Sequence, residues 1–339
     1  MNIHGVILAA GKGERMHPLT EAVPKALLFV GGKPLIAWAV EGLRKAGIDK
    51  IVVATGWKGR MVEGYIESSD MRVDTVNVVD YEIGPLQTLF TALNSFDDDF
   101  LLVPVDTMID SFVISGLIAH HSQTQDMTLA VDLDTDLGTP VSISGEGIIT
   151  GLGDHILASD TIVHSAMLFA GNSNLSQHCG LALADGETKF VSVLNRMIQD
   201  GETLRYHSSD VHIIDIDTLD DLLSVNRLVL KHTEFNQASS QVFVPIGDRI
   251  EIGKTLALNS DITLGKGTEL NGPVLISQRT KIGEQCQIGP YTTFDSDSVV
   301  SDECEISDTI IFGQSRISAR SRLHQTIVYN SKQYGGIDE

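Results

Sequence analysis

A chain of 339 residues is too long for one ordinary domain and comfortable for two. With 45 acidic against 24 basic residues it lacks the clustered cations that hold a nucleic-acid polymer, whereas free nucleotides, which need only a few cations, backbone N–H groups and a metal ion, remain open. No apolar run approaches the roughly eighteen residues of a membrane span, no signal peptide precedes Ile3, and Cys179, Cys286 and Cys304 are too scattered for a disulfide framework or a zinc site; a soluble, cytoplasmic protein without membrane partners is expected.

In chain order, residues 5–9, 51–54, 76–79 and 100–103 are short, apolar or β-branched, and bounded by glycine or charge, as buried parallel strands are. Between the first two, Pro34 opens a stretch in which Leu35, Ala39, Leu43 and Ala46 share one helical face until Gly47 stops it. Strands alternating with helices predict a doubly wound α/β sheet of Rossmann type, with ligands at the carboxyl ends of its strands. Residues 219–230 read as a helix with Leu222, Leu223, Val225, Leu228 and Val229 toward a core. Gln237-Ala-Ser-Ser240 reads as a linker, which predicts domains 1–235 and 236–339.

From Val244 the period changes to six. Ile246, Ile252, Leu258, Leu264, Leu270, Ile276, Ile282, Ile288, Phe294, Val300, Ile306 and Phe312 are apolar, each followed by a small or turn-prone residue. Two positions ahead of them runs a second row that includes Val244, Ile250, Ile262, Val274, Cys286, Thr292, Cys304 and Ile310. The pattern resembles the hexapeptide repeat of left-handed parallel β-helices, with about eighteen residues to a triangular coil and about four coils in all. Ile317 and Leu323 fall one position early, so the tail to Glu339 is expected to cover the open end. Flat faces and coil ends suit symmetric stacking, so a homo-oligomer built through the β-helix is expected.

The chemistry concentrates in Leu8-Ala-Ala-Gly11-Lys-Gly13-Glu-Arg15-Met-His-Pro18-Leu-Thr20 and the following Pro24-Lys25 and Gly32-Lys33-Pro34-Leu-Ile36. A glycine loop directly after a strand lets backbone N–H groups face a phosphate chain, and Arg15 and Lys25 add two fixed cations suited to a triphosphate and to a leaving pyrophosphate. The run resembles the signature of the sugar-phosphate nucleotidyltransferases, a family that includes glucose-1-phosphate thymidylyltransferase and N-acetylglucosamine-1-phosphate uridylyltransferase. Several members also carry a carboxyl-terminal left-handed β-helix.

The resemblance implies transfer of a nucleoside monophosphate from a nucleoside triphosphate to a sugar 1-phosphate, with release of pyrophosphate. The backbone of Leu8, Ala9, Ala10, Gly11 and Gly13 would then cradle the nucleotide, Arg15 would hold the outer phosphates, and Lys25 would neutralise the α-phosphate. It also implies Mg²⁺ on Asp106, at the end of an apolar strand, and on Asp215 of Val211-His-Ile-Ile-Asp215-Ile-Asp217, where Asp217 could instead cap the next helix.

Nucleotide choice falls to Gly84 and Gln87 in Asp80-Tyr-Glu-Ile-Gly84-Pro-Leu-Gln87, where the family's usual glycine-rich run is altered. Acceptor contacts fall to Asp154 and His155, in the place of a Glu-Lys pair, and to Ser165 of Ser165-Ala166-Met167, in the place of an Asn-Ala-Gly motif. These departures leave the base and the acceptor open. They also motivate a rival reading, a nucleotide-binding subunit without turnover; the resemblance of the β-helix to others that hold acetyl-CoA motivates a second, a bifunctional enzyme whose β-helix transfers acetyl groups, for which His324 is the late histidine.

Overall fold

The apolar runs of the first half become the centre of one mixed sheet. The computed structural model describes residues 3–209, 214–232, 241–258 and 261–335, and the expected linker at 237–240 lies outside these. Two compact units emerge, both discontinuous. The first holds Met1–Gly13, Val23–Leu27 and Leu35–Asp215, and the second holds Glu14–Ala22, Leu28–Pro34 and Ile216–Glu339. No described helix is long and apolar enough to cross a membrane.

In the first unit the strands lie in the order Ile149–Leu152, Thr139–Ile143, Thr161–Ser165, Met127–Asp132, Phe169–Gly171, Asp99–Pro104, Ile3–Ala9, Ile51–Thr55 and Asp74–Asn77. Leu204–Ser209 runs parallel beside Met127–Asp132. The last four strands of that order are mutually parallel, whereas Phe169–Gly171 and the strands beyond it pair antiparallel. The doubly wound reading therefore describes the parallel half of the sheet, and an antiparallel extension completes it.

Alternation sends Val6, Ala54 and Phe100 to one face and Ile7, Val53 and Leu101 to the other. Leu86, Leu89, Cys179 and Phe190 cover the first face from helices Pro85–Leu93, Leu175–Ala184 and Phe190–Gln199. Ile36, Val62 and Val113 cover the second from Leu35–Lys45, Gly59–Ser68 and Ser111–Thr124. Helix Leu35–Lys45 ends as expected at Gly47, which takes φ +84° while the Ile48 N–H donates back to the Leu43 carbonyl.

The third strand is Asp74–Asn77 rather than 76–79: the chain leaves the sheet before Val79, which is 81% exposed, while Val78 stays buried.

In the second unit three parallel sheets wrap one apolar core, a β-helix. Its rungs stack Leu264 on Ile282 and Val300, Leu270 on Ile288 and Ile306, and Ile276 on Phe294 and Ile311. Ile317 and Leu323 remain inside, paired with Val300 and Ile306, so the apparent break is a coil one residue shorter rather than an end; the short step falls before Phe312, and Ile311 instead of Phe312 fills the interior. Corner residues with positive φ show where: Asp297 and Glu303 are six apart, Glu303 and Asp308 only five, and Arg320 and Gln325 again five. The fourth coil closes at Thr326–Tyr329, and Lys332–Gly335 folds back on it antiparallel.

The first hexads behave differently from expectation. Val242–Val244, Arg249–Glu251 and Leu256–Ala257 pair antiparallel with the first coil, forming a reversed layer instead of a coil. Ile246 and Ile250 accordingly face outward, whereas Ile252 and Val244 are buried. Asn259 lies outside the described residues.

Helix Leu219–Lys231 belongs to this unit. Thr218 is its cap, accepting from the Asp221 N–H while the Asp221 carboxylate accepts from the Thr218 N–H; Asp217 does not serve as the cap. Leu228 turns outward, contrary to expectation, and Asn226 turns in instead, 1% exposed. Its side-chain oxygen accepts from the Gly31 N–H (3.0 Å) and the Thr293 hydroxyl (2.8 Å), and its amide donates to the Tyr291 carbonyl. That full set of partners makes a buried amide tolerable where an apolar residue would leave Gly31 unpaired. Phe29 and Phe312 stack in the same region, centroids 6.0 Å apart.

Candidate active site

Three neighbouring parallel strands deliver the site. Ile3–Ala9 pairs on one side with Ile51–Thr55, Ala9 opposite Thr55, and on the other with Asp99–Pro104, Leu8 opposite Pro104. The chain turns to opposite sides of Ile3–Ala9 at this point, a switch point at which open α/β sheets bind ligands beyond the strands' carboxyl ends. From those ends leave the glycine loop, the Gly56-Trp57-Lys58 turn and Asp106.

Leu8, Ala9 and Ala10 lie at the strand end, Ala9 and Ala10 buried, and the Ala10 carbonyl accepts from the Trp57 N–H at 3.0 Å. Gly11 is exposed and a β-carbon there would touch nothing within 4 Å; Gly13 takes φ +64°. The loop is open on its outer side and bent where glycine permits.

Lys25 follows Pro24 in a short turn, its side chain largely buried, and its ammonium lies 2.6 Å from the Asp106 carboxylate. Asp106 is followed by Thr107, which pairs with Asp215 across a two-residue antiparallel bridge. Both carboxylates offer oxygens within 4.8 Å of each other. Two hard carboxylates at that spacing fit Mg²⁺, which takes one or two from a protein and fills its other positions with water and phosphate oxygens. The Lys25 ammonium balances part of their charge.

Arg15 falls in the second unit, in the turn Glu14–Met16, where it pairs with Asp217 at 2.5 Å. Sequence reasoning thus placed Lys25, Asp106 and Asp215 in residues the fold draws together.

The remaining candidates have structural occupations. Gly84 has φ +139°, and a β-carbon there would sit 2.9 Å from the Thr188 carbonyl oxygen, so the close approach it permits is to its own chain. Gln87 donates to the Thr91 hydroxyl one turn along its helix. Asp154 and His155 are exposed in the turn Gly153–His155, with His155 Nδ1 3.3 Å from the Asn195 amide. Ser165 is 2% exposed; its hydroxyl donates to the Ala130 carbonyl and accepts from the Met167 N–H, a buried bracket rather than an open acceptor contact. Met167 holds φ +64°, the conformation in which glycine is at ease. His324 lies in a regular coil strand, not in an irregular cap, with Nδ1 2.9 Å from the Ser307 hydroxyl oxygen.

Sequence reasoning passed over Trp57, Lys58 and Lys12, which gather around the glycine loop. The available signal was an aromatic flanked by lysines directly after a strand in an acidic chain.

Residues 5–163 match the MobA-like NTP transferase domain, and residues 270–337 match the GMPPB C-terminal domain. Fold and matches agree on the architecture: an α/β part similar to the MobA-like NTP transferase domain, followed by a parallel β-helix.

More particularly, the relatives include nucleotidyltransferases, one of them named for sugar 1-phosphates. The chain is 23% identical over 350 residues to the low-salt glycan biosynthesis nucleotidyltransferase Agl11 of Haloferax volcanii, covering 99% of this chain and 94% of that one. It is 24% identical over 335 residues to a bifunctional sugar-1-phosphate nucleotidylyltransferase/acetyltransferase of Sulfurisphaera tokodaii, covering 97% and 80%. Among solved structures, the UDP-glucose pyrophosphorylase from Acinetobacter baumanii shares the fold with a TM-score of 0.59 at 18% identity, over 70% of this chain and 95% of that one.

Proposed function

We propose that this protein is a sugar-1-phosphate nucleotidyltransferase, joining the nucleoside monophosphate of a nucleoside triphosphate to a sugar 1-phosphate and releasing pyrophosphate. The observation that supports it most is the Lys25–Asp106 ion pair beside Asp215 at the carboxyl edge of the strands that also carry the glycine loop. An acceptor phosphate oxygen attacks the α-phosphorus in line, so catalysis needs positioning and charge neutralisation more than a general base. Lys25 neutralises charge developing at the α-phosphate. Backbone N–H groups of residues 8–13 hold the phosphate chain, and the motif position of Arg15 supports a role at its outer end. Asp106 and Asp215 are the residues to hold Mg²⁺, which would supply charge compensation on the phosphate oxygens.

The work divides between a catalytic part within residues 1–235 and a β-helix within 236–339 that serves self-association in the cytoplasm. Asp154 and His155, exposed in their turn, face the acceptor.

The test is pyrophosphate release across a panel of nucleoside triphosphates and sugar 1-phosphates with Mg²⁺. Lys25→Ala and Asp106→Ala should each lower kcat by at least about a hundredfold with the circular dichroism spectrum unchanged. Near-normal turnover in either variant rejects its assignment, and no release with any pair rejects the function.

A further inference from the structure

Beyond Lys25, the fold gathers two more lysines around a single indole at the same sheet edge. Trp57 is fixed by its N–H bond to the Ala10 carbonyl, and the turn before it is packed so tightly that a β-carbon on Gly56 would lie 2.8 Å from both Ala10 and Tyr81. The Lys12 ammonium, inside the glycine loop, is 5.7 Å from the Trp57 ring centroid, and the Lys58 ammonium is 5.5 Å from it. Both distances are within cation–π range.

Lys58 is held with φ +51° at the start of helix Gly59–Ser68, an uncommon conformation for a residue with a side chain. Lys12 also pairs with Glu82 at 2.7 Å, but Glu82 is two-thirds exposed. Such a pair is weak and screened by solvent and salt, so a more highly charged anion displaces the carboxylate. In a chain with a net charge of −21, two ammoniums converging on one ring beside an open glycine loop mark a local anion site.

We propose that Lys12 and Lys58, spaced by Trp57, dock the polyphosphate chain of the nucleoside triphosphate, and that Lys12 does so by exchanging Glu82 for phosphate oxygens. This rests on the nucleotidyltransferase reading and adds to it a capture step gated by Glu82. The indole acts as a rigid spacer for two cations, and the base lies elsewhere. Glu82 sets the threshold: monovalent anions do not break the Lys12 pair, whereas a chain of phosphates does.

The experiment uses inorganic tripolyphosphate, which has the charged chain and no base, and follows tryptophan emission in the full-length protein without metal. Trp38, the second tryptophan, is buried in helix Leu35–Lys45 and supplies a constant background. Tripolyphosphate should change the emission of the wild-type protein and leave that of Trp57→Phe unchanged. Lys12→Met and Lys58→Met should each weaken tripolyphosphate binding roughly tenfold, and Glu82→Gln should tighten it severalfold. Lys281→Met, on an exposed β-helix strand, is the control and should bind as wild type.

An emission change produced equally by nucleosides without phosphate would show base stacking on Trp57 and overturn the proposal. So would an unresponsive wild-type protein, or wild-type affinity in both lysine variants. Where turnover is present, the KM for the nucleoside triphosphate should rise in the lysine variants while that for the acceptor does not; an unchanged nucleotide KM in both would reject the docking site and leave the nucleotidyltransferase function standing. Tripolyphosphate binding with the expected variant pattern but no pyrophosphate release from any pair would reject the function and leave the docking site standing.

Discussion

Gly84 shows how much a single residue can decide. Its φ of +139° and the Thr188 carbonyl 2.9 Å from a would-be β-carbon leave a side chain neither a comfortable backbone nor space. Gly84→Ala should destabilise the protein by about 1–3 kcal/mol, read as a lower denaturation midpoint with an unchanged m-value. Met167 meets a similar demand differently, keeping a side chain at φ +64° and placing it against the main core cluster. The three thiols stand at the other extreme. Burial pushes Cys179 up to about 12 and raises Cys286 and Cys304 as well, so none is a nucleophile at neutral pH.

At the scale of elements, helix Leu219–Lys231 joins local and long-range physics. Its capping box is written in four consecutive residues, but Asn226 acquires its role only from Gly31, Tyr291 and Thr293. Asn226→Ala strands a buried N–H and a buried hydroxyl together. It should cost about 2–4 kcal/mol, measured by chemical denaturation, and a loss below about 0.5 kcal/mol would mean that the two donors find new partners.

The β-helix was legible because its apolar row is strictly periodic, and the grouping of Lys25, Asp106 and Asp215 because the runs that hold them resemble a known family's signature. The reversed layer at 242–257 was not legible, since a strand presents the same alternating pattern in either direction. The shortened coils were visible as an early Ile317, yet their meaning appeared only in the register that keeps Ile317 beside Val300. Trp57 escaped notice because its significance lies in Ala10, Lys12 and Lys58, brought to it by strand pairing rather than by spacing. Leu228 was misread because a helical wheel counts apolar side chains and cannot foresee a buried amide with three partners.

For the molecule as a whole, acid is a specific threat. Burial holds His4, His120 and His207 below the ordinary 6.5, with Arg205 adding to the effect at His120 and His120 adding to it at His207. A folded-state value below the unfolded one means that the unfolded chain binds protons first. The stability tied to these groups is therefore complete above about 6.5 and is lost as pH falls below it. His207→Gln should flatten the fall of melting temperature between about pH 7 and 5 relative to wild type, and parallel curves would exclude His207 as a contributor.

Truncation tests the second unit. A chain ending at residue 232 loses the partners of Phe29, Asn226 and Arg227, whose guanidinium holds both carboxylate oxygens of Asp308. It should melt at a much lower temperature than the full chain by circular dichroism, or without cooperativity.

The short run Leu28–Pro34 gives this architecture a historical consequence. It lies between Lys25 and the first helix of the sheet unit, yet Phe29 stacks on Phe312, and at Gly32 a methyl group would strike Leu275. Coils borrowed from another lineage would meet a foreign surface there. The coils are thus not a cassette that recombination can exchange freely; they must be inherited with the stretch that follows Lys25, and substitutions at positions 29 and 312 should track one another through descent.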